Sequence, residues 1–120
     1  MKKFKVATVL ALTLLFCLLE VGAAYASTFR IHNDTDRTIS KIYIRRSDKS
    51  GWGNQQNSRS IPRGKTFELR DIPINSSHRY WDIRVVFSGG GSYTWSRKNL
   101  YSERSMTIYR SGSSIRADWD

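Results

Sequence analysis

The chain has 120 residues, 39% of them hydrophobic, with 20 Lys+Arg against 10 Asp+Glu and a single cysteine. That length suits one domain, and a lone cysteine excludes an internal disulfide. A formal charge of +10 favours association with anionic polymers such as nucleic acid, lipid headgroups, acidic glycans or cell-wall phosphates. The bland alternative is a soluble, self-repelling surface with no partner.

The first residues read MKKFKVATVLALTLLFCLLEVGAAYAS. Lys2, Lys3 and Lys5 precede an apolar core of 14 residues, Val6 to Leu19, and Ala24-Tyr25-Ala26 supplies a small-x-small cleavage site. This is the order of a secretory signal peptide. Glu20 ends the apolar run before the roughly 18 residues that a spanning helix needs. The expected division is a signal over residues 1–26 and one domain over residues 27–120, in the periplasm or outside the cell of a bacterium. A lipid anchor at Cys17 is disfavoured by the bulky Phe16 before it.

Residues 27–120 retain 17 Lys+Arg and 9 Asp+Glu, a formal +8, and 13 of the 17 are arginine. Arginine is favoured where a planar fork grips carboxylate or phosphate. Without Cys17 no thiol chemistry is possible, and any metal would need oxygen or imidazole ligands.

Short strands and polar turns follow in order. STFRIH alternates Phe29 and Ile31 with Arg30 and His32, the period of a half-buried strand. NDTDRT is a turn of residues that bond their own backbone. In TISKIYIRR, Ile42 and Ile44 share a face but Ile39 has the opposite parity, so both faces are covered or a bulge shifts the register. A long polar loop, RSDKSGWGNQQNSRS, leads to Ile61, a PRG turn and KTFELR, with Phe67 and Leu69 inward.

DIPINSSH is loop. RYWDIRVVF is the clearest strand, with Trp81, Ile83, Val85 and Phe87 on one face and Tyr80, Asp82 and Arg84 on the other. SGGGS turns the chain into SYTWSR, where Tyr93 and Trp95 are in step, which predicts a hairpin. SMTIYR puts Met106 and Ile108 inward, and SIRADW closes the chain after a glycine-serine turn. No segment keeps helical spacing over ten residues. Six to eight short strands predict an all-β, antiparallel β-sandwich or small barrel.

The residues Phe29, Ile31 and Asn33; Ile39, Ile42 and Tyr43; Trp52 and Gly53; Pro62 and Gly64; Trp81 to Arg84; and Asn99-Leu100 form a spaced pattern across most of residues 27–120. The pattern resembles a family of small exported bacterial β-sandwich proteins with a Trp-Gly loop and a Tyr/Trp-Asp-Ile-Arg strand, a family of no established activity. The resemblance implies the fold and no reaction. Members often carry a cysteine pair near that strand and after Asn-Leu, where this chain has Arg79 and Tyr101, so the bridge is absent here.

Candidate ligand residues are Trp52 with Asn54 and Gln55 in the loop, and Tyr80, Asp82 and Arg84 on the strand. The glycines beside Trp52 let its ring fold back and plug the sandwich end, the favoured reading. The alternative is a platform for a sugar or base, because an aromatic beside amides suits stacking ligands. Asp82 and Arg84 are expected on a polar outer face with cross-strand ion pairs, or in a shallow anion or glycan site. Asn33, Asp34 and Asp36 suit a turn better than calcium, since Ile39 stands where a calcium loop needs glycine.

The expected function is binding without catalysis or cofactor, by a monomer that contacts an anionic envelope component, a glycan or a protein; nucleic acid is less favoured. One alternative is a small hydrolase acting on phosphodiester or glycan, using His32 or His78 with Glu68 or Glu103 and Arg84. Another is an inhibitor or accessory subunit that uses the 46–60 loop.

Overall fold

The computed structural model describes residues 27–120. The export signal expected over residues 1–26, with Cys17, lies outside the described residues. Seven strands form two sheets: β1 (Ser27–Asp34), β2 (Ile39–Arg46), β3 (Thr66–Ile72), β4 (Tyr80–Phe87), β5 (Ser92–Asn99), β6 (Ser105–Ser111) and β7 (Ser114–Trp119). One sheet has the order β3-β1-β6-β7 and the other β2-β4-β5. All named pairings are antiparallel except β1 with β6. The described residues contain no helix long and apolar enough to cross a membrane.

The sheets bury their alternating apolar residues against each other, as two half-apolar surfaces must. Phe29 and Ile31 of β1, Ile83, Val85 and Phe87 of β4, and Met106 and Ile108 of β6 are almost wholly buried, with Trp81 close behind. Tyr93, Trp95, Ile115, Ala117 and Trp119 pack around this core while partly exposed. Each has the inward parity that its strand's alternation requires.

Bulges correct the parity where the alternation breaks. Ile39 faces Phe87 but Lys41 faces Val86, so Ser40 is the extra residue and both Ile39 and Ile42 turn inward. In β3, Ser27 pairs Ile72 and Thr28 pairs Arg70, so Asp71 is extra, at φ 58°. That slip brings Ile72 back to the core.

The NDTD turn is held from within. The buried Asn33 amide donates to the carbonyls of Arg37 (2.7 Å) and Ile61 (2.9 Å) and accepts from Thr35 N–H and Oγ1. The glycine hairpin joins β4 to β5, with Gly89, Gly90 and Gly91 all at positive φ, a conformation that L side chains resist.

The second half of the 46–60 loop covers the edge of β2. Gln56 N–H donates to Ile42 O (2.8 Å), and Ile42 N–H donates to Asn57 Oδ1 (2.8 Å). Asn57, itself buried, donates to the carbonyls of Ser40 and Arg59. Ile39 and Ile61 then exchange backbone bonds. An exposed strand edge invites pairing with other chains, and this stretch fills that role for β2.

Candidate functional site

The β2-β4-β5 sheet turns Lys41, Tyr43 and Arg45 of β2, and Tyr80, Arg84 and Val86 of β4, to its outer side, opposite the buried Ile42, Ile44, Ile83 and Val85. Trp52 joins this face. Its ring lies under the Arg45 guanidinium, 4.1 Å from the ring centre, and 6.5 Å from the Tyr43 ring. It is half-buried, outside the core cluster. The expected plug is therefore corrected: the ring covers a sheet face and does not close the sandwich end. Gly53, at φ 72°, supplies the turn that lays the loop back on β2.

Trp52, Tyr43, Lys41, Arg84 and Val86 line an open groove of about 390 Å³. Arg84 sits at its centre, paired in register with Tyr43 on one side and Thr94 on the other. Among the described residues its guanidinium makes one long contact, Nη2 to Ser92 Oγ at 3.4 Å, and its Nε, itself buried, has no acceptor. Most of its donor capacity is therefore unspent on the protein.

Asp82 is not on an open strip. The expected exposed Tyr80-Asp82-Arg84 row is corrected, because Asp82 is only 4% exposed. A bulge puts Ser96 and Arg97 opposite it: Trp81 faces Lys98 while Ile83 faces Trp95, and Arg97 adopts φ 53°. Asp82 Oδ1 accepts from Ser47 Oγ (2.7 Å) and Arg97 N–H (2.9 Å), and Oδ2 from Arg45 Nε (2.9 Å). Burial pushes its carboxyl upward, but these three donors outweigh it and hold the pKa below the ordinary carboxylate value. Asp82 thus ties β2, β4 and β5 together and aims Arg45 at Trp52.

Tyr80 is 44% exposed, with the Arg97 guanidinium 5.1 Å from its ring centre. Asn54 is exposed and Gln55 donates to Asn57 O. Neither lines the groove, so the amides expected beside Trp52 are set apart from it. Tyr43, Arg45 and Lys41, which are not among the candidate ligand residues read from the sequence, stand at the groove or over Trp52. Only the pairing of β2 with β4, which places Tyr43 beside Arg84, reveals them.

The residues considered for hydrolysis do not assemble. His32 contacts Thr66 Oγ1 (2.8 Å) and Glu68 pairs with Arg30 and Arg70, all on the β1-β3 pair. Arg84 lies on the other sheet, and His78 sits in a loop beside Arg46. The turn residues weighed for calcium are likewise engaged: the Asn33 side chain within its turn, and Asp36 with Arg110.

No family model and no curated protein matches the chain. Among solved structures, the NMR structure of a protein from Eubacterium rectale is similar, with TM-score 0.55 and 14% identity over 79% of this chain and 88% of that one. At that identity the likeness shows a shared fold and carries no chemistry.

Proposed function

We propose that this protein is an exported binding protein whose outer β2-β4-β5 face holds an anionic glycan of the cell envelope. The observation that carries the reading is the groove of Trp52, Tyr43, Lys41 and Arg84, where rings and unspent cationic donors meet. Sugar rings pack their C–H faces on aromatic rings, whose faces are electron-rich. Carboxylate, sulfate or phosphate groups on the same polymer would satisfy the free Arg84 and Lys41 donors. Lys41, Arg45, Arg84 and Arg97 share this side with one carboxylate, Asp82, which is buried. The field over the groove is therefore positive and attracts polyanions. Binding needs no catalytic group, metal or cofactor.

The test is titration of the purified protein with a sulfated polysaccharide, a polyuronate, neutral dextran and a single-stranded oligonucleotide. The expected result is binding to the charged glycans that weakens as salt rises from about 50 to about 200 mM, with no binding of dextran. Trp52→Ala and Arg84→Gln should each weaken it. Binding indifferent to both substitutions, or a clear preference for the oligonucleotide, would overturn the reading.

A further inference from the structure

A second pocket lies at the other end of the same sheet, where β2 leaves at Arg46 and β4 enters at Tyr80. Arg46, Ser47, Asp48, Ser77, His78, Arg79, Tyr80 and Arg97 enclose about 180 Å³. It shares no lining residue with the Trp52 groove, and Lys41 and Arg46 are about 17 Å apart along an extended strand. Three arginines and a histidine line it with one acidic residue, Asp48.

Arg79 and Arg97 are oriented by contacts that leave donors over, whereas Arg46 is engaged by Asp48 and lies against His78 Nε2 at 3.5 Å. Arg97 lies over the Tyr80 ring, and no acceptor among the described residues engages its guanidinium. Arg79 lies 4.9 Å from the Tyr101 ring centre and gives only Nε, to Ser76 O (3.0 Å). Ring stacking restrains a guanidinium without consuming its N–H edge. Arg46 grips Asp48 with two parallel bonds, Nε to Oδ1 at 3.1 Å and Nη2 to Oδ2 at 3.0 Å. That carboxylate is 67% exposed at the mouth of a turn, and it presents to Arg46 the paired oxygens that an external oxyanion would offer.

The rim is built as well as charged. Asn75 Oδ1 accepts from the N–H groups of Ser77 (2.8 Å) and His78 (3.0 Å), and the buried Trp81 donates Nε1–H to His78 O at 2.9 Å. Backbone bonds from Ser47 to Tyr80 and from Leu100 to Arg79 fix the two sides of the pocket. Its volume is below the roughly 300–1,000 Å³ typical of sites for whole small molecules. It fits one compact charged group.

We propose that the Arg46-Arg79-Arg97 pocket binds a single tetrahedral oxyanion group, a phosphate monoester or sulfate ester, with the Asp48 carboxylate as a built-in competitor for Arg46. This site does not depend on the groove binding a glycan.

Backbone amide NMR of the purified protein, titrated with inorganic phosphate, methyl phosphate and sulfate at constant ionic strength set with chloride, tests it. Saturable shifts confined to residues 46–49, 76–80 and 97 are expected. Arg79→Gln and Arg97→Gln should each weaken binding about tenfold, as loss of one charge-assisted hydrogen bond does. Asp48→Asn should tighten it. Stronger binding of methyl phosphate marks a phosphate monoester as the natural group, and stronger binding of sulfate marks a sulfate ester. Shifts that grow without saturating, that spread equally over Lys41 and Arg84, or that weaken in Asp48→Asn overturn the proposal.

Discussion

The outer faces of the two sheets use similar residues in opposite ways. On the β3-β1-β6-β7 sheet, Glu68 lies between Arg30 and Arg70 and pairs with both. The Arg70 hydrogen bond first, then the charges of both arginines, hold its carboxyl below the ordinary value. Arg110 at the edge pairs with Asp36. On the β2-β4-β5 sheet the one carboxylate is buried, and arginines rest on rings: Arg45 on Trp52 and Arg97 on Tyr80. An exposed ion pair cancels charge and gains little. Arg45 spends Nε on Asp82 and Nη1 on Ser50 O, whereas the guanidinium of Arg97, stacked on Tyr80, has no acceptor among the described residues. The first face is neutralised by its own residues, while the second stays available to an anion.

Both faces depend on the shared core, and its loss has the largest expected effect. Phe87 is 1% exposed and meets Tyr93 edge-on at 5.7 Å. Phe87→Ala should cost about 3–5 kcal/mol, a large part of a typical total of roughly 5–15 kcal/mol. Denaturant midpoints measure it.

Asp82→Ala comes next. It strands the Arg97 N–H and the Arg45 guanidinium, and should cost about 2–4 kcal/mol. Glu68→Gln on the other face should move the midpoint far less, because its pairs are solvent-exposed. Equal losses from the two substitutions would erase the contrast between the faces.

Acid should weaken the Asp82 tie. The folded Asp82 pKa is depressed, so its contribution is complete above the unfolded carboxylate value of about 3.9. It is lost as pH falls below that value and through the lower folded one. A stability–pH curve for Asp82→Asn should therefore be flatter than wild type below about pH 4.

The smallest stability effect is expected at Arg84. Arg84→Ala should cost under about 1 kcal/mol while reducing polyanion binding and its salt dependence. A neutral variant with unaltered binding would move the site off this face.

The strand alternation was legible because burial imposes a period of two on any strand with one covered side. RYWDIRVVF identifies its inward residues without help, and STFRIH and SMTIYR do the same. The mismatch of Ile39 signals a bulge, although the sequence leaves two solutions open and only pairing to β4 selects the bulge at Ser40. Asp82 departs from its expected exposure for the same reason. Its strand parity is outward, but a bulge on the neighbouring strand brings a backbone donor over it.

Trp52 marks the boundary between the two kinds of information. Its flanking glycines show that the loop can turn, and composition shows that the protein is basic. Whether the ring fills the core or covers a face depends on β2 and on Asp82 holding Arg45 above it. Likewise Arg79 and Tyr101, 22 positions apart in the chain, form a stacked pair. Local sequence carries periodicity, turn chemistry and charge, since these act between near neighbours. Contacts between distant positions depend on strand order and register, and those are decided only when the sheets close on one core.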